Sequence, residues 1–262
     1  MHEAEFAQLW AGAMTSQRPL EMAVAGGHLA DDLAFVFIAG YQAAVRACFA
    51  IDEPGWVAYA VSESRGDDDG ASRVRLDAPT QTLSGVKSWV AAVNNISQII
   101  VKVGDGDNAE YWRVPVSAAG LSLQARPKGK FLGAMSQGSA EFQQTPVDPS
   151  ARLDSSAARR FGFMEPLFID IAFLAFVKTQ APGVSQVDDL LLMASVLVEA
   201  DFAAVATKMQ FAALDSAVQQ VLAEFELLQA GPVLSANWAQ DRGLLSLYSK
   251  GIQQRAEAVG SV

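Results

Sequence analysis

The sequence predicts an α+β protein with a short N-terminal helical segment, a central antiparallel β-barrel or sandwich, and a C-terminal antiparallel helical bundle. Three observations carry this. Apolar residues recur at helical spacing near both ends of the chain. The middle alternates with a period of two, and turn residues interrupt it every ~8–12 positions. The stretch Leu83–Val103 shows the alternation best: Val86, Ser88 and Val90 oppose Lys87, Trp89 and Ala91. Asn94–Asn95 breaks that run, and Ile99–Val103 resumes it up to Gly104–Gly106. The expected domains are residues 1–50, 51–152 and 153–262.

Residues 1–50 read as helix. Phe6, Leu9, Trp10 and Ala13 fall on one face, and Thr15–Pro19 ends the pattern. His28 follows Gly26–Gly27 and reads as a solvated loop histidine. A second helix runs from about Asp31 to Phe49, capped by Asp31 or Asp32. Its stripe of Leu33, Val36, Phe37, Gly40, Tyr41, Ala44 and Cys48 is wide enough to need packing on two sides.

Short strands follow at Val57–Val61, Val74–Leu76, Gln81–Leu83, Val86–Ala91, Ile99–Val103, Tyr111–Val116 and Leu121–Gln124. Pro146 and Pro149 mark an exit strand and a linker. Arg65–Gly70 reads as a solvated acidic turn, because it lacks the ligand spacing and final Glu of an EF-hand; no metal site is expected. Trp89 is large, and its size alone favours the core. The C-terminal part gives an apolar helix over Phe163–Thr179 and two helices within Val187–Leu228. A last helix spans Trp238–Ala258, with Leu244, Leu245, Leu247, Tyr248 and Ile252 on its apolar side.

Composition narrows the function classes. The chain has 262 residues, 51% of them hydrophobic and 18% charged, enough for a large core and too apolar for disorder. A formal net charge of −10 argues against nonspecific nucleic-acid binding. The single Cys48 excludes an intrachain disulfide and a multi-cysteine metal site. The start lacks a signal-peptide pattern, and no run approaches ~20 uninterrupted apolar residues. A soluble cytoplasmic protein without membrane partners is the expectation.

Four strings, in order, resemble the acyl-CoA dehydrogenase superfamily. Tyr59-Ala-Val-Ser-Glu63 with Gly66-Asp67 resembles Y-x-x-T-E-P-x-x-G-S-D. Leu83-Ser-Gly-Val-Lys-Ser-Trp-Val90 resembles L-x-G-x-K-x-W-I-[ST]. Lys130-Phe-Leu-Gly133 with Ser136 and Phe142 resembles K-x-G-x-R-x-[ST] leading into the last β strand. Asp241-Arg242 resembles the family's Arg-Asp pair near its C-terminal helix. The helix–sheet–helix order matches as well, with a shortened N-terminal helical part.

The resemblance implies an FAD flavoprotein of fatty acid metabolism that desaturates an acyl thioester, such as a CoA-linked one, or a similar small acyl substrate. Hydride would pass to the flavin, and a Glu carboxylate would take the α proton. It implies a homodimer or tetramer through the helical bundle. By position, Ser62 stands where a Thr hydrogen-bonds the flavin, and Trp89 where an aromatic packs near its ring. Ala91 stands where a Ser or Thr hydroxyl serves flavin N5. The family's base on the last helix is replaced by Ser249, which leaves Glu165, on the first bundle helix, as the matched catalytic carboxylate. Glu165 also reads as an ordinary first-turn glutamate beside Pro166, favoured by the helix dipole. The absent hydroxyl at Ala91 and the Ser at 249 keep open a non-catalytic, flavin-free binding or assembly relative. A flavin monooxygenase or oxidase on the same scaffold is the remaining alternative.

Overall fold

The computed structural model describes residues 1–16, 18–63, 73–127, 129, 131–228 and 237–260. The acidic run Arg65–Gly70 and Lys130, singled out above, lie outside them. The chain divides into two compact units. One comprises Met1–Cys48, Lys130–Ala134 and Arg160–Val262; the other comprises Phe49–Gly129 and Met135–Arg159.

The helical unit begins with α1 (Glu3–Ser16), α2 (Pro19–Leu29) and α3 (Leu33–Phe49). Within Thr15–Pro19, α1 ends at Ser16 and α2 starts at Pro19, which occupies a first helical position, where its missing N–H costs nothing. Gly26–Gly27 is helical as well. His28 is therefore in the last turn of α2 rather than in a loop, and its Nδ1 lies 2.7 Å from Thr179 Oγ1. Leu9 is 57% exposed and drops out of the apolar face of α1, whereas Phe6 and Trp10 are fully buried. Asp32 caps α3, its Oδ1 accepting the Ala34 N–H at 2.9 Å; Asp31 instead pairs with the N-terminal amine.

The long helix α4 (Ser155–Gln180) is buried on every side from Pro166 to Val177. Gly40 brings α3 against it, since a Cβ there would stand 2.5 Å from the Ile169 Cα and N. After α4 come α5 (Val187–Val198), α6 (Val205–Leu228) and α7 (Trp238–Gly260), so the break inside the Ala- and Leu-rich region falls at residues 199–204. On α7, Leu245 and Ile252 are buried, while Leu247 is 58% exposed and does not belong to the apolar side. No helix among the described residues is long and apolar enough to cross a membrane.

Among the described residues the β unit holds eight strands: β1 (Trp56–Ala60), β2 (Arg75–Asp77), β3 (Thr82–Ala91), β4 (Ile96–Val103), β5 (Glu110–Pro115), β6 (Leu121–Ala125), β7 (Gln137–Pro146) and β8 (Arg152–Leu153). They form two four-stranded sheets, ordered β1-β4-β5-β8 and β2-β3-β7-β6, so the sandwich form of the expectation is realised and no closed barrel is present among the described residues. One pairing departs from the antiparallel expectation: β1 runs parallel to β4, with Ala58 opposite Ile99 and Ala60 opposite Val101. Most of β1 and the Ile99–Val101 stretch of β4 opposite it are buried on both faces, as expected where parallel strands meet.

The strands expected at Gln81–Leu83 and Val86–Ala91 are one strand, β3, with an irregular register against β7 around Gly85. Gly85 takes φ +132°, and a Cβ there would collide with the Arg73 carbonyl. The Asn94–Asn95 turn does not close a hairpin. It carries the chain from β3 in one sheet to β4 in the other.

Candidate functional site

In the β unit, the three residues matched to flavin contacts lie on or beside β3. Ser62 is exposed, two residues past the end of β1 at Ala60, and its carbonyl accepts the Ser88 N–H at 2.9 Å. This bond places Ser62 beside the strand segment that carries Trp89. Trp89 is half-buried, contrary to the core placement its size suggests. Its indole Nε1 donates to Gln137 Oε1 at 3.1 Å across the β3–β7 pair, which orients the ring and leaves part of it in the open. Ala91 is buried, and its side chain has no polar group to offer a ligand.

An unexpected buried charge sits on the same strand. Lys87 is only 1% exposed, and its Nζ meets Glu63 Oε1 at 2.5 Å; Glu63 also accepts the Val74 N–H at 3.2 Å. Burial pushes the Lys87 pKa down, and the Glu63 carboxylate opposes that loss.

In the helical unit, α3, α4, α6 and α7 bring a set of ionisable groups into the interior. Glu165 lies eleven residues into α4, which starts at Ser155, so it is not a first-turn glutamate and the helix dipole does not account for it. Pro166 follows inside the helix, and its missing N–H leaves the Gly162 carbonyl without its helical donor. Glu165 is half-buried as a residue, but its carboxylate is packed away from solvent. That burial pushes its pKa up to about 7, and a hydrogen bond from the Tyr248 phenol on α7 works in the opposite direction. Tyr248 is raised in turn, by burial first and by the Glu165 charge second.

Two further groups feel the same surroundings. Burial pushes the Cys48 thiol, on α3, up to about 12, so it stays protonated and is no thiolate nucleophile. Arg160, one and a half turns before Glu165, gives Nη1 to the Ala47 carbonyl at 3.4 Å.

Ser249, the residue standing where the family resemblance puts a base, donates its hydroxyl to Asp215 Oδ2 on α6 at 2.8 Å. Gln253 Nε2 donates to the same oxygen at 2.6 Å. Asp215 is 1% exposed, and Asp170 on α4 is 4% exposed, with an Oδ2 that has no hydrogen-bond partner among the described residues. Burial, reinforced by the Asp215 charge, holds the Asp170 pKa well above the carboxylate range. That shift keeps the proton on Asp170.

Reading the sequence singled out Glu165 but not Tyr248 as its partner, nor the Asp170–Asp215–Gln253 cluster. A signal existed for Asp170, a lone acid in an otherwise apolar run from Leu167 to Val177. Tyr248 was placed on the apolar side of α7, and nothing in the spacing shows what its hydroxyl meets.

With two sheets and a helical bundle defined, the comparison with known proteins is specific at the level of fold. No protein-family model and no curated protein matches the sequence. Solved structures do. A butyryl-CoA dehydrogenase from Megasphaera elsdenii aligns over 100% of this chain and 91% of its own, with a TM-score of 0.66 at 11% identity. PigA with FAD and proline aligns over 97% and 89%, with a TM-score of 0.68 at 12% identity. The ChsE4–ChsE5 complex from Mycobacterium tuberculosis aligns over 99% and 88%, with a TM-score of 0.65 at 15% identity. The chain has the acyl-CoA dehydrogenase fold. It is a divergent example of it, since the shared residues amount to 11–15% in these three.

Proposed function

We propose that the chain is an FAD-dependent, acyl-CoA dehydrogenase-like oxidoreductase that desaturates a small acyl thioester, with Glu165 as the base that takes the α proton. The observation that carries this reading is the Glu165 carboxylate, held by burial at a pKa of about 7 in the interior of α4. A carboxylate with that pKa is protonated and deprotonated readily at neutral pH, which suits general-base work. The fold supports it, because two of the neighbours described above are named for an acyl-CoA dehydrogenase and for an FAD complex.

The β unit has residues that fit a flavin in part. Ser62 offers an exposed hydroxyl, and Trp89 offers a half-open indole fixed by Gln137. Ala91 offers no hydroxyl, so any hydrogen bond to the flavin at that place comes from backbone. When bound, FAD supplies the hydride acceptor. The chain's own part is to hold the ring, to exclude water around Glu165, and to keep the proton on the Glu165 carboxylate after it is taken. Cys48 stays protonated and plays no part as a nucleophile.

A homodimer or tetramer through the helical bundle belongs to the same proposal. Its support is Leu192 and Val196, one turn apart on α5 and 68% and 64% exposed. The buried Ala91, without a hydroxyl, favours the second reading, a non-catalytic relative that assembles with a larger flavoprotein.

The deciding experiment is flavin content followed by turnover. The purified protein is expected to be yellow or to take up FAD on titration, and to reduce it with a panel of acyl-CoA thioesters. Glu165→Gln should keep the flavin and lose about 10²–10⁴-fold in rate. A colourless protein that takes up no FAD refutes the reading and leaves the assembly relative.

A further inference from the structure

We infer that Lys87 is the positioning residue for Ser62, its buried ammonium holding Glu63 and so fixing the exposed serine beside Trp89. Its bearing on flavin rests on the proposed FAD binding; the placement of Ser62 does not.

The end of β1 and the middle of β3 carry it. β1 stops at Ala60, so Val61, Ser62 and Glu63 have no strand ladder to fix them. Two hydrogen bonds tie this piece to β3. The Ser88 N–H donates to the Ser62 carbonyl at 2.9 Å, and Lys87 Nζ donates to Glu63 Oε1 at 2.5 Å. Adjacent residues of β3 thus grip adjacent residues of the chain leaving β1. The same Glu63 oxygen accepts the Val74 N–H at 3.2 Å, which restrains the carboxylate further. β3 is shaped for this contact. Lys87 pairs with Ala140 and Val90 with Gly138, which leaves Ser88 and Trp89 together opposite Ser139. A bulge of this kind bends a strand and re-aims its side chains. Here it puts the partner of Ser62 and the half-open indole on consecutive residues. The lysine side chain is 1% exposed and that of Glu63 20%, so the ammonium is the more deeply desolvated member of the pair. A methionine would fill the same space with no charge to desolvate, so packing alone does not call for a lysine. What the ammonium adds is a directed bond to Glu63.

The test separates placement from stability and from flavin. The ¹⁵N-labelled full chain is compared with Glu63→Leu/Lys87→Met, which removes the pair without leaving a buried charge. Amide hydrogen exchange is read first, with no flavin present. The Ser88 amide is expected to be protected in the wild type and to exchange at least about 10-fold faster in the double variant, while Val101 on β4 keeps its rate. FAD is then titrated into the wild type, the double variant, Ser62→Ala and the triple combination. Ser62→Ala and the double variant are each expected to raise the FAD Kd by about 3–10-fold, the worth of one hydrogen bond. The combination should be no weaker than either, because both changes remove the same contact. A folded double variant whose Ser88 amide keeps its wild-type protection overturns the inference, and so do affinity losses that multiply. A wild-type Ser88 amide that exchanges freely, or a wild-type Lys87 ammonium with no protected ¹⁵Nζ signal, overturns it even if no variant folds. A chain that takes up no FAD, yet loses Ser88 protection in the double variant, refutes the proposed function and leaves Lys87 as the residue that places Ser62.

Discussion

Replacing Glu165 by Gln should make the protein more stable at alkaline pH and leave it unchanged at acid pH. The reasoning begins with the carboxylate's folded pKa of about 7, raised above its ordinary value by burial. A raised acid binds more protons folded than unfolded, so stability falls as pH rises from about 4.5 through 7 and then levels off. At about 1.4 kcal/mol per pH unit, this charge costs the folded protein about 3 kcal/mol above pH 7, and somewhat less because Glu165 is only half-buried. Gln has the same shape, still accepts a bond from Tyr248 and never ionises. At pH 4.5 the two proteins should therefore unfold together. At pH 8 the variant should be more stable by about 2–3 kcal/mol. Urea unfolding at pH 4.5, 6, 7 and 8, followed by tryptophan fluorescence, measures both curves. The wild type will keep losing stability relative to the variant up to about pH 7. Parallel pH profiles would show that Glu165 is not desolvated in the folded chain, and the argument for a base at this position would fall with them.

Three other outcomes follow from the same structure. Gly40→Ala should destabilise the helical unit by more than about 2 kcal/mol, because the added methyl meets the Ile169 backbone, which has no side-chain freedom to yield; urea unfolding reads the loss. Glu63→Gln leaves Lys87 buried without its counter-charge and should cost about 3 kcal/mol at pH 7, with part of it recovered in the Glu63→Leu/Lys87→Met double variant. Asp170→Asn should change stability by under about 1 kcal/mol at acid pH, since the residue already carries its proton there. It should also flatten the wild-type decline in stability as pH rises, which thermal melts across pH 5–9 would show.

The fold was legible in the sequence wherever one periodicity ran long enough. The alternation over Leu83–Val103 located β3, β4 and the Asn turn between them. What it could not show was that the turn crosses from sheet to sheet, because period-two patterning places faces and says nothing of partners. The hidden helix α2 was lost to a local rule: Pro19 and Gly26–Gly27 usually punctuate, yet here the proline begins the helix and both glycines are buried inside it. Leu9 and Leu247 mislead for a related reason, since an apolar stripe read at helical spacing runs wider than the face a neighbour covers. Trp89 shows the limit of residue size as a guide, being held half-open by its bond to Gln137. At the candidate site, the apolar run alone starts the helix at Phe163, eight residues after α4 begins at Ser155, which makes Glu165 look like a dipole contact. Tyr248 and Asp170 depend on pairings between helices far apart in sequence, and no spacing within one helix encodes those.

The helical unit is assembled from segments that leave the ribosome far apart in time. The helix α3 is buried along nearly its whole length, and its Gly40 lies against Ile169, yet α4 is complete only at Gln180, about 130 residues later. At roughly 5–20 residues per second, about 7–26 s of synthesis separate the two. Over that interval the run Leu33–Phe49 has no α4 to cover it, while the β unit between them emerges and can begin to pair. Nascent chains of this protein should therefore be held by chaperones chiefly through residues 33–49, and released once residues 160–180 have cleared the ribosomal tunnel.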